Sequence, residues 1–187
     1  MAWGERIPCF CFHENLCVAG NCRVCLVEIL GTIKLLVSCS LLVIRFMKIR
    51  TKGFRVSRVR EAIIELLLIN HPLDCPICDQ SSECDLQDVT MLFGSMRGRF
   101  YEVLKTVVRD FDYSPCIRTI LSRCIACSRC VRYSLEFIGM LGFGMLGRGN
   151  DMEVGDYLVT VMDDELSGNI INLCPVGILS LGVSYKH

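Results

Sequence analysis

Apolar positions along the chain recur with two different periods. Val24, Leu26, Val27 and Ile29, then Leu35, Leu36 and Val37, form two short runs on either side of Gly31-Thr32. Branched and aliphatic residues bounding a turn predict strands over 24–29 and 34–40, with a third short strand over 45–49. Beyond Ser57 the pattern changes to Val59, Ala62, Ile63, Leu66 and Leu67, at steps of three and four. That is the period of an amphipathic helix, with Ser57 as the expected N-cap and Pro72 as the stop. A helix of about three turns would hand His71 to a loop. Further helices are expected over 86–93, 114–121 and 129–138. No fixed-period repeat or low-complexity linker interrupts the 187 residues, a length that suits one or two compact domains.

Hydrophobic residues make up 52% of the chain, which raises the question of a membrane span. A span needs roughly 18 to 20 consecutive apolar residues. The uncharged run 35–44 is too short, and the uncharged stretch 167–185 is broken by Asn169, Asn172, Pro175 and three glycines. No direct membrane span is therefore expected. Met1-Ala2-Trp3-Gly4-Glu5 has neither the apolar centre of a signal peptide nor the character of a transit peptide. Without secretion, the cysteines are expected as reduced thiols available to metal.

Twenty basic residues balance twenty acidic ones, but unevenly: 45–60 holds seven basic residues and no acid, and 151–165 holds six acids and no base. The basic run reads first as a solvated face and second as a dock for an acidic partner. Only Phe46 and Phe54 interleave its charges, too few stacking platforms to suggest a nucleic-acid partner.

Fourteen cysteines dominate the chemistry, and their spacing sorts them into three sets. The first is Cys11-x10-Cys22-x2-Cys25-x13-Cys39, preceded at its hook by Gly20-Asn21. One close pair with two distant singles is the plant-type pattern of a [2Fe-2S] site, although the first gap is longer; a four-cysteine structural zinc is the rival. The second is His71-x3-Cys75-x2-Cys78-x5-Cys84, stiffened by Pro72 and Pro76. Three thiols need a fourth donor, and His71 is the nearest candidate; a neutral imidazole in place of a thiolate would raise the potential of a cluster. A zinc knuckle competes here as well. The third is Cys124-x2-Cys127-x2-Cys130, completed by Cys174-Pro175. Three thiolates spaced by threes wrap one corner of a [4Fe-4S] centre while a distant Cys-Pro brings the fourth. Two-cluster ferredoxins carry a further cysteine where this chain has Ser134, so one centre is implied rather than a local pair. Three structural zincs in so short a chain would be redundant, whereas several redox centres in a row suit one-electron conduction. Cys9, Cys17 and Cys116 remain; Cys9 and Cys17, near the first set, read as small buried apolar residues, and Cys116 is left without an assigned role. Arg23, Arg129 and Arg132, beside cluster cysteines, are candidates for tuning potentials, with solvent exposure as the competing reading.

One motif is a decoy. Gly142-Phe143-Gly144-Met145-Leu146-Gly147 matches the dinucleotide fingerprint, but no clear strand precedes it and Arg148-Gly149-Asn150 opens no apolar helix; flexible turns near a cluster are expected instead. No Ser/His/Asp set or phosphate loop is present, and the three histidines are His13, His71 and His187. No catalytic acid, base or nucleophile is expected.

Several stretches together resemble a known family. Phe10-Cys11-Phe12-His13-Glu14, Val18-Ala19-Gly20-Asn21-Cys22-Arg23-Val24-Cys25-Leu26-Val27-Glu28 and Asn70-His71-Pro72-Leu73-Asp74-Cys75-Pro76-Ile77-Cys78-Asp79-Gln80 carry it, with Gly147-Arg148-Gly149-Asn150-Asp151 and Leu166-Ser167-Gly168-Asn169-Ile170-Ile171. They resemble the iron–sulfur region of the large iron–sulfur subunit of respiratory complex I, NADH:ubiquinone oxidoreductase. The resemblance implies an α+β chain: an incomplete β-grasp ferredoxin-like domain followed by small helix-rich iron–sulfur domains, at 1–55, 56–96 and 97–187. It implies a [2Fe-2S] cluster on Cys11, Cys22, Cys25 and Cys39. It implies one [4Fe-4S] cluster on His71, Cys75, Cys78 and Cys84 and another on Cys124, Cys127, Cys130 and Cys174. The implied function is a redox relay from NADH and the flavin of a neighbouring subunit toward ubiquinone, with no NADH or quinone site in this chain.

The family carries a β-hairpin and helix before its first ligand and a large domain after its last. Their absence here leads us to expect partner chains that supply the missing strands and the large domain, among other subunits of the matrix arm. The implied location is the matrix side of the mitochondrial inner membrane, with the chain encoded in the organelle; the bacterial cytoplasmic face is the alternative. The alternative function is the iron–sulfur subunit of an NAD-linked hydrogenase or formate dehydrogenase, and the alternative of another class is a zinc-stabilised interaction module.

Overall fold

A computed structural model of the chain describes residues 6–100, 114, 117–149, 152–156 and 165–182. Strands β1 (Leu26–Ile29) and β2 (Leu35–Val37) form an antiparallel hairpin in the register Leu26↔Val37 and Glu28↔Leu35. Gly31 makes the turn at φ +94°, a conformation that side chains avoid, and Thr32 closes it by donating N–H and Oγ1–H to the Ile29 carbonyl. The short strand β3 (Ile49–Arg50) pairs antiparallel with the other edge of β1, giving the order β2-β1-β3. It is later and shorter than the expected 45–49, because Met47 N–H turns back onto Ile44 O and Phe46 takes φ +62°.

Helix α1 (Phe54–Asn70) packs on this sheet through Val59 and Ile63, which lie against the cluster of Cys25, Leu26 and Val37, and its Val56 and Ile64 are fully buried. It begins three residues before Ser57. Gly53, at φ +152°, lets the chain turn straight into the helix, and its carbonyl takes the Ser57 N–H. At the other end Pro72 disfavours helical geometry at the residue before it. His71 accordingly leaves the helix extended, at φ −71° and ψ 128°. Helix α2 (Asp85–Phe93) carries Asp85 and Asp88 in its first turn, where carboxylates complement the helix dipole.

Beyond residue 97, where helices were expected, the described residues combine short helical segments with four short strands. Strand β4 (Ile117–Thr119) pairs antiparallel with β7 (Leu179–Leu181), and β5 (Phe143–Leu146) with β6 (Glu153–Asp156). The expected helix over 114–121 is replaced by β4: Ile117 and Thr119 face inward and Arg118 outward, an alternation with branched residues that favours a strand. The Gly142–Gly147 stretch is β5 rather than flexible turns, with Gly144 opposite Gly155. Helix α3 (Arg129–Tyr133) runs on as a π-helical turn, Ser134–Ile138, so the expected 129–138 element is present but widened. Helix α4 (Asn169–Leu173) precedes Cys174. Among the described residues no helix is long and apolar enough to cross a membrane.

One hydrophobic cluster joins all these parts, drawing Phe10 and Val24 from the first region, Leu86 from α2, and Ile117, Phe143 and Val176 from the third. A smaller cluster of Cys25, Leu26 and Val37 lies between the hairpin and α1. The basic run is only partly solvated: Arg55 pairs with Glu28 at 3.2 Å, and Arg60 is buried with its guanidinium donating to Leu26 O at 3.0 Å. Most of the acidic run, and Cys116, lie outside the described residues.

Candidate metal centres

The first set is built by the hairpin. Cys25 directly precedes β1 and Cys39 follows β2, so the strand register brings them together; Ser38 N–H donates to Cys25 O at 3.1 Å. Cys11, Cys22 and Cys25 are buried and Cys39 is half-buried. The thiols associate as Cys11 with Cys22 and as Cys39 with Cys25, and Cys39 also reaches Cys11. The hydrogen bond from Cys22, helped by the backbone N–H groups of Cys22, Asn21 and Gly20, lowers the Cys11 thiol to about 5. The same bond raises Cys22, and burial first, then Cys25, pushes Cys39 up to about 12. Gly20 at φ +65° and Arg23 at φ +60° turn the backbone amides toward the sulfurs.

The second set forms around the break between α1 and α2. His71, Cys75, Cys78 and Cys84 line one cavity, together with Asp74, Ser81, Gln87, Arg123 and Gly177. Asp74 and Pro76 set a tight turn over Cys75–Ile77, in which Cys78 N–H bonds Cys75 O at 3.3 Å. Cys84 sits at the N-terminus of α2. Burial raises its thiol, partly offset by the N–H groups of Gln87 and Leu86, which stabilise a thiolate.

In the third set each Cys-x2-Cys hook contains a non-glycine residue with positive φ: Ala126 at +50° and Ser128 at +60°. Left-handed geometry at such residues costs of order 1–3 kcal/mol and is found at functional sites. Here it aims Ala126 N–H at Cys124 Sγ, 3.3 Å away. Cys130 enters from the first turn of α3, and Cys174 arrives after α4, accepting N–H bonds from Val176 and Ile178. Burial pushes Cys124 up to about 11 and Cys174 to about 12. Burial, then the charges of Cys127, Cys124 and Cys174, raises Cys130 far above its ordinary value. Burial favours the neutral thiols here, so ionising all four together in this dry site would require compensating positive charge. A metal centre is the kind of group that would supply it, and the surrounding N–H groups suit sulfur ligands. Among the described residues no group of three or more His, Cys, Asp or Glu side chains is gathered around the position of one metal ion.

The remaining candidates divide. Cys9 is half-buried and raised by burial, as a small apolar residue would be. Cys17 is exposed, contrary to expectation, because its backbone N–H is held at the surface by the Glu136 carboxylate, 3.1 Å away. Arg23 is exposed. Arg129 donates to Leu173 O at 3.2 Å and to Phe12 O at 2.8 Å; Arg132 donates to the carbonyls of Cys11, Cys17 and Ser128. Both therefore brace the first set against the third. The Asn21 side chain does the same through Ala126 O and Ser128 Oγ, each at 3.1 Å. The sequence reading missed Arg123, a buried cation that donates to Gly177 O at 3.2 Å and pairs with Asp74 at 3.6 Å. Its position directly before Cys124 was the only hint in the sequence.

Fold and sites together define an iron–sulfur protein of the ferredoxin-like class, and comparison with known families agrees. Residues 1–53 match the 2Fe-2S iron-sulfur cluster binding domain, 60–99 the NADH-ubiquinone oxidoreductase-G iron-sulfur binding region, and 114–180 the NADH-quinone oxidoreductase subunit 3 ferredoxin-like domain. The chain is 52% identical over 177 residues to the NADH-ubiquinone oxidoreductase 75 kDa subunit of Reclinomonas americana, covering 95% of this chain and 26% of that protein. It is 56% identical over 163 residues to the subunit of the same name from Acanthamoeba castellanii, covering 87% of this chain and 24% of that one. Against NADH dehydrogenase [ubiquinone] iron-sulfur protein 1, mitochondrial, of Solanum tuberosum it is 51% identical, covering 95% of this chain and 24% of that protein. Among solved structures, an NAD+-reducing [NiFe]-hydrogenase in its H2-reduced state superposes with a TM-score of 0.84 at 27% identity, over 98% of this chain and 79% of that one. The chain belongs to the family of the NADH-ubiquinone oxidoreductase 75 kDa subunit. It spans about a quarter of the length of these curated relatives.

Proposed function

We propose that the chain is a one-electron relay in NADH:ubiquinone oxidoreductase, passing electrons from NADH and flavin toward ubiquinone. In this reading Cys11, Cys22, Cys25 and Cys39 hold a [2Fe-2S] cluster, on a three-stranded sheet and helix that form part of a β-grasp domain. His71, Cys75, Cys78 and Cys84 hold a [4Fe-4S] cluster, and Cys124, Cys127, Cys130 and Cys174 hold a second. Such clusters, when bound, each accept and release single electrons. The protein's own contribution is placement, insulation from water and N–H donation to sulfur.

The observation that supports the reading is that cysteines of all three sets share one hydrophobic core, Cys11, Cys22 and Cys127 within it and Cys39, Cys84, Cys124, Cys130 and Cys174 packed against it, in three stretches that match iron–sulfur families. Arg129, Arg132 and Asn21 fix the first set against the third with hydrogen bonds rather than a flexible linker. Exposed Leu42, Val43 and Phe46 beside the first sheet suit a chain seated among other subunits, including the flavin-bearing one and chains that complete the sheet and supply the large domain. The relatives named as mitochondrial support placement in the mitochondrion, and the matrix side of the inner membrane is the location this reading implies.

In the assembled enzyme, Cys127→Ser is expected to abolish electron transfer from NADH to ubiquinone while leaving NADH oxidation by an artificial acceptor at the flavin unchanged. Full quinone reduction in that variant would contradict the proposal. The superposition on the hydrogenase favours a second reading, the iron–sulfur subunit of an NAD-linked hydrogenase. Hydrogen-dependent NAD+ reduction by the purified complex would select it.

A further inference from the structure

Three contacts join the second set to the third. Asp85 N–H, next to Cys84, donates to Pro175 O, next to Cys174, at 3.1 Å. Gly177 lies so close to the second set that a Cβ there would stand 2.4 Å from Cys78 Sγ. Arg123 spans both: its guanidinium donates to Gly177 O at 3.2 Å and pairs with Asp74, the residue before Cys75, at 3.6 Å. The residue is 5% exposed, its buried Nε has no hydrogen-bond partner, and it lines the cavity shared by His71, Cys75, Cys78 and Cys84.

An enclosed guanidinium is always charged and weakly hydrated, so it suits a fixed cation in a dry site. Asp74 is more exposed than Arg123, so solvent screens its charge better and it offsets the cation only in part. Adding an electron makes a thiolate-bound cluster more negative, and a fixed positive charge beside it favours the reduced state.

We infer that Arg123 is a positioning residue shared by the two sites, tying the Asp74 loop to the Gly177 loop and holding up the reduction potential of the cluster in the His71 set. This rests on the cluster assignment of the proposed function. A structural strut alone would hold the loops without setting the potential, and charge-keeping and charge-removing variants separate the two.

The test is potentiometric EPR of the assembled enzyme. Arg123→Met should lower the reduced-to-oxidised ratio of the His71-set cluster about tenfold at its original midpoint, a shift of about 59 mV for one electron. Arg123→Lys, which keeps the charge, should restore most of the ratio, and Asp74→Asn should move it the opposite way. An unchanged midpoint in the Met variant would overturn the inference, as would a Lys variant shifted as far as Met. If both Arg123 variants lose iron equally, the residue is a strut and the inference also fails. The unsubstituted enzyme tests the underlying assignment: two tetranuclear signals uphold it whatever Arg123 does, and their absence refutes it first.

Discussion

Residues with strained or crowded backbones hold the sulfurs. Arg23, Ala126 and Ser128, each inside a Cys-x2-Cys hook, take positive φ so that neighbouring amides face sulfur. A β-branched side chain fits that geometry poorly. Ala126→Val is therefore expected to destabilise the hook by about 1–3 kcal/mol. Iron analysis should show the chain falling from about ten irons to about six as the third set empties. Gly177→Ala should empty the second set instead, because the new methyl would meet Cys78 Sγ; EPR distinguishes which tetranuclear signal disappears. The cysteine spacing made these hooks legible in the sequence. Arg123, Arg129 and Arg132 were harder to read, because their partners include backbone carbonyls distant in the chain, such as Gly177, Leu173 and Phe12. A carbonyl has no residue type to recognise.

Elements were legible where one local rule dominated. Pro72 ended α1 as expected, and the Val, Leu and Ile runs around Gly31 became β1 and β2. The stretch 114–121 failed because its partner strand, Leu179–Leu181, lies some sixty residues away and local pattern cannot reveal pairing at that range. The dinucleotide-like glycines likewise became a strand because β6 was available to pair with them. Helix α1 supports the first set, with Val59 and Ile63 packed against Cys25, Leu26 and Val37 and Ile64 buried at 1% exposure. Ile64→Ala should lower stability by about 2–5 kcal/mol, read as an earlier denaturant midpoint. Bleaching of the binuclear cluster's visible absorbance should move with it.

Among the described residues all three regions contribute to one large core, in which Cys11, Cys22 and Cys127 are themselves packing residues. Cluster binding and folding are therefore linked, since a ligand held only by the native state stabilises it. Removal of iron by a chelator should lower the unfolding midpoint of the whole chain rather than release one segment, measurable by far-UV circular dichroism with and without iron. The division of the cysteines into three sets was visible from spacing, but their mutual bracing through Asn21, Arg132 and the Asp85–Pro175 bond exists only in three dimensions.

The most direct test is metal and sulfide analysis of the full chain prepared without oxygen, alongside its EPR spectrum after reduction. One binuclear and two tetranuclear clusters predict about ten irons and about ten acid-labile sulfides per chain. About three zinc ions without sulfide would contradict the account.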